Sequence, residues 1–258
     1  MLFEKQDDEL EMETITANIR QDRNQAPSRK GVHLMFDRIA RRYDLLNHLL
    51  SAGLDIRWRR KAVEQLPQLP GVKILDLACG TGDLAIAAAK RLGRDCHIVG
   101  VDLAEKMLAI GRHKIAARGL DQVITLQSGD GMALSFAEHE LDAVMIAFGI
   151  RNMPDSVGCL REICRVLKPG GRLVVLEFSL PANWLMRTWY LFYFRYVLPL
   201  VGTLVSGDGY AYRYLNRTVE TYEHGEAFLD LMCQAGFAEV RQQRLSAGIA
   251  SIYVGDKQ

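Results

Sequence analysis

Short, β-rich apolar runs alternate with amphipathic helical stretches along the middle of the chain, and that rhythm leaves few folds open. Strands are expected at Val72–Leu77, Ile98–Asp102, Val123–Leu126, Leu141–Phe148 and Arg172–Phe178. Helices are expected between them, at Leu84–Leu92, Ala104–Arg118 and Ser156–Leu167. Strands joined through helices pair in parallel, with the helices covering both faces of one sheet. The "PGG" at Pro169–Gly171 is expected to stop the third helix ahead of its strand. A helix near Glu226–Ala235 and strands near Glu239–Arg244 and Ile249–Val254 complete a doubly wound, Rossmann-like α/β domain of seven strands. A chain of 258 residues holds one such domain, placed at residues 31–258.

Charge and cysteine usage narrow the partners. Lys+Arg number 32 against 31 Asp+Glu, a net charge of +1, which disfavours nucleic-acid binding by bulk electrostatics. Five cysteines without a C-x-x-C pair offer neither a disulfide framework nor zinc-ligand spacing, so no metal is expected. Met1 to Glu13 carries six acids and one base, the reverse of a secretory n-region, and a cytoplasmic chain is expected. Residues 1–30 read as a polar, weakly helical arm and residues 31–69 as a helical extension. Nine Lys/Arg against three Asp between Arg29 and Lys61 make this extension basic, either as a solvated face or as a contact for anionic lipid.

A second departure from average composition lies at residues 183–216. Seven of the chain's 21 aromatics fall between Trp184 and Tyr196. The segment is nearly long enough to cross a bilayer, but Arg187, Arg195 and Pro199 interrupt it. Each arginine at mid-bilayer would cost about 2.5–3.5 kcal/mol. A spanning helix is therefore rejected, leaving a core helix or an interfacial lid at the membrane surface.

The turn after the first strand, "ILDLACGTGDLA", carries Gly80 and Gly82, which allow a tight turn and close approach of a ligand to the backbone. With Ala85 the spacing is compatible with a dinucleotide fingerprint. Asp76 and Asp83 bracket this turn, however, and carboxylates repel a pyrophosphate while welcoming a cation. S-adenosylmethionine is such a ligand, with a sulfonium, an ammonium and no phosphate. Asp102 ends the second strand, where a carboxylate can accept from ribose hydroxyls. Asp130 and Gly131 follow the third strand, where an acid and a backbone N–H can meet adenine. Asp102 and Asp130 as simple turn or helix caps is the competing reading.

These stretches resemble a known family. "LDLACGTGD" is similar to motif I of class I S-adenosylmethionine-dependent methyltransferases. "RVLKPGGRLVVLEFS" (Arg165–Ser179) and "YDLLNHLLSAGLDIRW" (Tyr43–Trp58) resemble the two signatures of the ubiquinone/menaquinone biosynthesis C-methyltransferases, as does "FGIRNMPD" at Phe148–Asp155. In the Tyr43–Trp58 stretch Leu46 replaces the usual Met and Asp55 the usual His. The resemblance covers about Val32 to Gly255 and implies a seven-stranded sheet with an antiparallel last strand, acting on a ring carbon of a prenylated quinol. It places cofactor contacts at Thr81, Asp102, Asp130, Gly131 and near Ala147, a position often Ser in the family.

Carbon methylation needs an electron-rich ring, so the expected acceptor is the reduced quinol, demethylmenaquinol or a ubiquinone precursor. A phenol-like hydroxyl with pKa near 10 needs help to ionise. Arg151, after the fourth strand, is the candidate for stabilising the phenolate, with Asn152 orienting an oxygen and Tyr43 closing the pocket. The structural alternative for Arg151 is an ion pair with a loop acid such as Asp155. His33 and His48 are candidate bases, although a lone helical histidine is more often structural. The basic extension and the aromatic segment together form a candidate lipid-facing entry for the prenylated ring. Competing functions are methylation of another lipid, NAD-dependent oxidoreduction, and a non-catalytic scaffold role.

Overall fold

The computed structural model describes residues 31–206 and 209–258, and the arm expected over residues 1–30 lies outside them. Two helices open the described chain, α1 (Val32–Leu50) and α2 (Leu54–Val63). Then follow β1 (Val72–Leu77), α3 (Asp83–Leu92), β2 (Cys96–Asp102), α4 (Glu105–Ala116), β3 (Ile124–Ser128), β4 (Leu141–Ala147), α5 (Ser156–Val166) and β5 (Leu167–Phe178). The aromatic segment forms α6 (Trp184–Phe192), a π-helical turn (Tyr193–Val197) and α7 (Leu198–Ser206). After α8 (Gly209–Thr221) come α9 (Glu226–Gln234), β6 (Phe237–Leu245) and β7 (Ala250–Lys257).

The seven strands lie in the order β3-β2-β1-β4-β5-β7-β6. All pairings from β3 to β5 are parallel, and β7 inserts antiparallel between β5 and β6. Strand order reverses between β1 and β4, so the crevice above their carboxyl ends is where a ligand binds in such sheets. Because β-strand side chains alternate, each strand feeds two cores. Ile74 and Val174 pack on one face with Trp58, Leu84 and Leu108, whereas Leu75 and Val175 pack on the other with Leu160, Phe228 and Tyr253. Full burial of one such side chain contributes roughly 1.5–3 kcal/mol.

One expectation about the strands needs correction. Pro169–Gly171 does not separate α5 from its strand; it lies inside β5, which starts at Leu167. Leu141 pairs with Leu167 and Ala143 with Arg172, so the intervening residues bulge out of the ladder. Gly171 permits this fold-back, since a Cβ there would lie 2.8 Å from the Lys168 carbonyl oxygen.

α1 is helical because Val32, Met35, Ile39 and Leu46 recur at helical spacing and bury one face. That face meets Tyr190, Phe194 and Leu198 of the aromatic segment and Tyr214 of α8, forming a third core above the sheet. Among the described residues no helix is long and apolar enough to cross a membrane. The π-turn precedes Pro199, which offers no N–H to the carbonyl of Arg195.

Candidate active site

Two cavities adjoin above the carboxyl ends of β1, β2, β4 and β5. The first is a cleft of about 1190 Å³ of empty space, part of it open to solvent, lined by Gly80, Asp102, Asp130, Gly131, Ala147 and Asn152 together with Val32, His33, Phe36 and Tyr43 of α1. Asp102 takes the Gly80 N–H on one carboxylate oxygen and the Ala104 N–H on the other, both at 2.8 Å. Burial pushes its carboxyl up, and those two N–H groups hold it part-way back. Each oxygen retains acceptor capacity toward the cleft. Asp130 accepts from the Met132 N–H at 2.8 Å. Gly131 leaves the wall open where a Cβ would lie 3.2 Å from Leu77 Cδ1 and Met153 Cε.

No Lys or Arg lines this cleft among the described residues, against two carboxylates. A pyrophosphate would find no countercharge there, while a cationic ligand would be stabilised. Asp102 and Asp130 supply that stabilisation, and the two acids bracketing the glycine turn do not. Asp76 is buried beneath the turn, accepting from the Ala85 N–H at 2.9 Å, and burial pushes its carboxyl up to about 8. Asp83 is neutralised by Lys114 Nζ at 2.5 Å. Thr81 also points away from the cleft, donating to Asp44 of α1 at 2.6 Å and accepting from Lys114. Gly82 faces Ile115 and Leu126 in the core. These four residues build the loop rather than the cleft wall.

The second cavity is apolar and lies between α1, α2, the aromatic segment and α8. Its floor is an aromatic stack, with Phe148 and Phe178 ring centroids 4.5 Å apart and Trp58 at 6.3 Å from each. Two guanidiniums cap this stack: Arg59 over Phe148 at 5.5 Å and Arg151 over Phe178 at 5.3 Å. Flat rings and delocalised cations together suit an aromatic ligand that gains negative charge.

Arg151 is 4% exposed and donates to the Phe148 carbonyl at 2.7 Å and to Glu177 Oε1 at 2.6 Å. Its ion-pair partner is therefore Glu177, at the end of β5. Asp155 instead caps α5, accepting from the Gly158 N–H at 2.9 Å. Burial raises the Glu177 carboxyl, opposed mainly by Arg151. Arg151 Nε and Glu177 Oε2 are both buried without a hydrogen-bond partner.

Tyr43, Phe36 and Phe148 line both cavities, so the two spaces share a wall. Burial raises the Tyr43 hydroxyl above its ordinary value, with Asn47 and the two arginines pulling it back. Asn152 is on the cleft side, its side-chain oxygen accepting from Tyr214 at 3.2 Å. His33 lines the cleft, whereas His48 stands outside both cavities, hydrogen-bonded to Asp55.

The family model for ubiE/COQ5 methyltransferases matches residues 22–257. The chain belongs to the ubiE/COQ5 methyltransferase family. A demethylmenaquinone methyltransferase of Thermus thermophilus is 49% identical over 223 residues, 86% of this chain and all of that protein. A ubiquinone/menaquinone biosynthesis C-methyltransferase of Geobacter sulfurreducens is 46% identical across 86% of this chain and 87% of its own. A Methanococcus maripaludis structure described as a putative S-adenosyl-L-methionine-dependent methyltransferase superposes with a TM-score of 0.61 at 19% identity, covering 92% of this chain and 96% of that one. The last comparison concerns the fold alone.

The methyltransferase holds several site residues that motif reading passes over. Arg59 brings a second guanidinium to the wall of the apolar cavity, Glu177 pairs with Arg151 of that wall, and Phe36, Leu103 and Met153 enclose the cleft. Glu177 lies within "LEFS", where an acid in an otherwise apolar strand end is the signal that a buried partner must exist.

Proposed function

We propose that this protein transfers the methyl group of S-adenosylmethionine to a ring carbon of a prenylated quinol, with demethylmenaquinol as the acceptor. The observation that carries the reading is the shared wall: a cleft with two carboxylates and no cation abuts an aromatic cavity with two guanidiniums. The Thermus and Geobacter relatives bear names of this reaction.

Asp102 and Asp130 would hold the donor, which supplies an electrophilic methyl when bound. Arg151 and Arg59 then act electrostatically: their fixed positive charge favours the ionised ring hydroxyl, whose electron density moves onto the ring carbon. Fixing the ring between Phe148, Phe178 and Tyr43 contributes by positioning, an effect worth roughly 7–11 kcal/mol at best. The new C–CH3 bond would replace the S–CH3 bond, whose electron pair stays on sulfur, and the displaced ring proton would pass to water at the open side of the cleft as the ring regains aromaticity. Helices α1 and α2 serve as the substrate cap, α1 covering both cavities and α2 the aromatic one.

Contact with a lipid surface belongs to the same proposal. The outer side of the aromatic segment exposes Trp184, Trp189 and Tyr196 at 75, 66 and 64%, while its inner side builds the cavity. Such a patch on a segment walling a site for a lipid-soluble ring supports docking at the bilayer face. The direct test is methyl transfer from labelled S-adenosylmethionine to short-tail demethylmenaquinol and to the methoxy-benzoquinol precursor of ubiquinone, under anaerobic reducing conditions. Label in the naphthoquinol is expected; label in neither acceptor would overturn the reading.

A further inference from the structure

Asp55 opens α2 and is 3% exposed, on the wall of the aromatic cavity. It is the only carboxylate lining that cavity among the described residues. Three donors converge on it: Ser51 Oγ on Oδ1 at 2.8 Å, and His48 Nδ1 at 2.8 Å with Arg59 Nη1 on Oδ2. A carboxylate has about four acceptor sites. The vacant one is therefore on Oδ1, the oxygen with a single partner. Burial pushes the carboxyl up, but Arg59, Ser51 and His48 outweigh it, so the group lies below the ordinary carboxylate range and stays ionised at neutral pH.

Building on the quinol assignment above, we propose that Asp55 is a specificity-determining residue that admits the reduced ring and rejects the oxidised one. A quinol hydroxyl donates a hydrogen bond and fills the vacant site on Oδ1. A quinone carbonyl only accepts, so it would set acceptor against acceptor at Oδ1 and leave the vacant site there unfilled. The arginines do not make this distinction between the neutral forms, because a guanidinium donates to a quinone carbonyl as readily as to a quinol hydroxyl oxygen. Only the reduced ring has the electron density to take a methyl cation, so excluding the quinone keeps the site free of an unreactive competitor.

Asp55→Asn tests the proposal. Arg59 and His48 are both donors toward Oδ2, and they fix the amide oxygen there, which puts the NH2 group where Oδ1 stood. The acceptor then becomes a donor without change of shape. Binding of a short-tail demethylmenaquinol (anaerobic) and of its oxidised quinone would be compared by calorimetry in wild type and D55N. The wild type is expected to bind quinol at least about tenfold more tightly than quinone, and D55N to lose or reverse that ratio. S-adenosylmethionine affinity checks that D55N is folded. An unchanged ratio in D55N, an equal weakening of both ligands included, overturns the role of Asp55 while leaving the reaction assignment intact if wild type still methylates the quinol. A wild type that methylates no quinol overturns both.

Discussion

Arg151 is held by Glu177 in surroundings that exclude water, so a simple truncation reports two things at once. Arg151→Ala removes the charge proposed to favour the phenolate, and it also strands a buried carboxylate, at a cost of about 3–5 kcal/mol of stability. Pairing Arg151→Met with Glu177→Gln removes both charges and separates the effects. The double variant is expected to melt close to wild type yet lose about 10²-fold or more in turnover, with S-adenosylmethionine affinity nearly intact by calorimetry. Asp76 gives a second prediction. Its carboxyl is raised to about 8 in the fold, against about 3.9 in an unfolded chain. Below pH 4 both states hold the proton and there is no penalty. Between pH 4 and 8 only the unfolded state ionises, so stability falls by up to about 1.4 kcal/mol per pH unit and levels off above 8. Asp76→Asn lacks this slope, and urea melts across pH 4–9 should show its advantage over wild type growing to pH 8. Glycine spacing selected Gly80 and Gly82, charge beside the turn selected Asp76, and the family resemblance selected Thr81. None of these specifies which side of the turn each side chain takes, since that depends on α1 and Lys114, distant in sequence.

At the scale of elements, α1 decides whether either cavity is closed. Asp44 accepts from Thr81 at 2.6 Å and from Lys114 at 2.7 Å, and Lys114 also bonds Asp83. Two turns earlier on the same helix, Asp37 accepts the Lys106 N–H at 2.8 Å. The cap is therefore tied to the glycine turn and to α4 by polar contacts, while apolar packing ties it to the aromatic segment. Lys114→Met is expected to loosen α1 without disturbing the sheet. Hydrogen exchange should speed at least about tenfold across Val32–Leu50 and stay unchanged in β1 and β4, with both ligands bound several-fold more weakly. Uniform acceleration, or none, would show that the charge cluster does not seat the helix. The sheet itself was readable because strand and helix periods are local properties of the sequence. The bulge at Pro169–Gly171 was not: whether a glycine pair breaks a strand or kinks within it depends on the register of β4 alongside. The basic stretch behaved similarly. Arg38, Arg41, Arg42, Arg57 and Arg60 are exposed, as a solvated face requires, but Arg59 turns inward to Asp55 and the Phe148 ring.

For the whole molecule, the exposed apolar residues are unevenly distributed. Leu185, Met186, Phe192 and Leu200 join the two tryptophans and Tyr196 on the outer side of the aromatic segment. Tyr193 donates to the Leu50 carbonyl at 2.9 Å, joining this segment to the end of α1, where Leu45 and Leu49 are also exposed. Arg41 stands one helical turn before Leu45 and two before Leu49 on the solvent side of α1, so cationic and apolar groups share one stripe. An amphipathic surface of this kind binds anionic bilayers through apolar insertion plus charge attraction, and the charge component weakens with salt. The triple variant Trp184→Ser, Trp189→Ser, Phe192→Ser tests it, because none of the three lines the cleft or the aromatic cavity. Wild type should co-sediment with anionic vesicles at low salt, and the triple variant at least about tenfold less. Turnover on a short-tail quinol in detergent-free buffer should match wild type, whereas turnover on a long-tail quinol embedded in vesicles should fall in step with binding. Equal sedimentation of the two proteins, or a loss of both activities together, would mean that the outward aromatics serve packing or assembly and that the ring reaches its cavity without a bilayer-docked face.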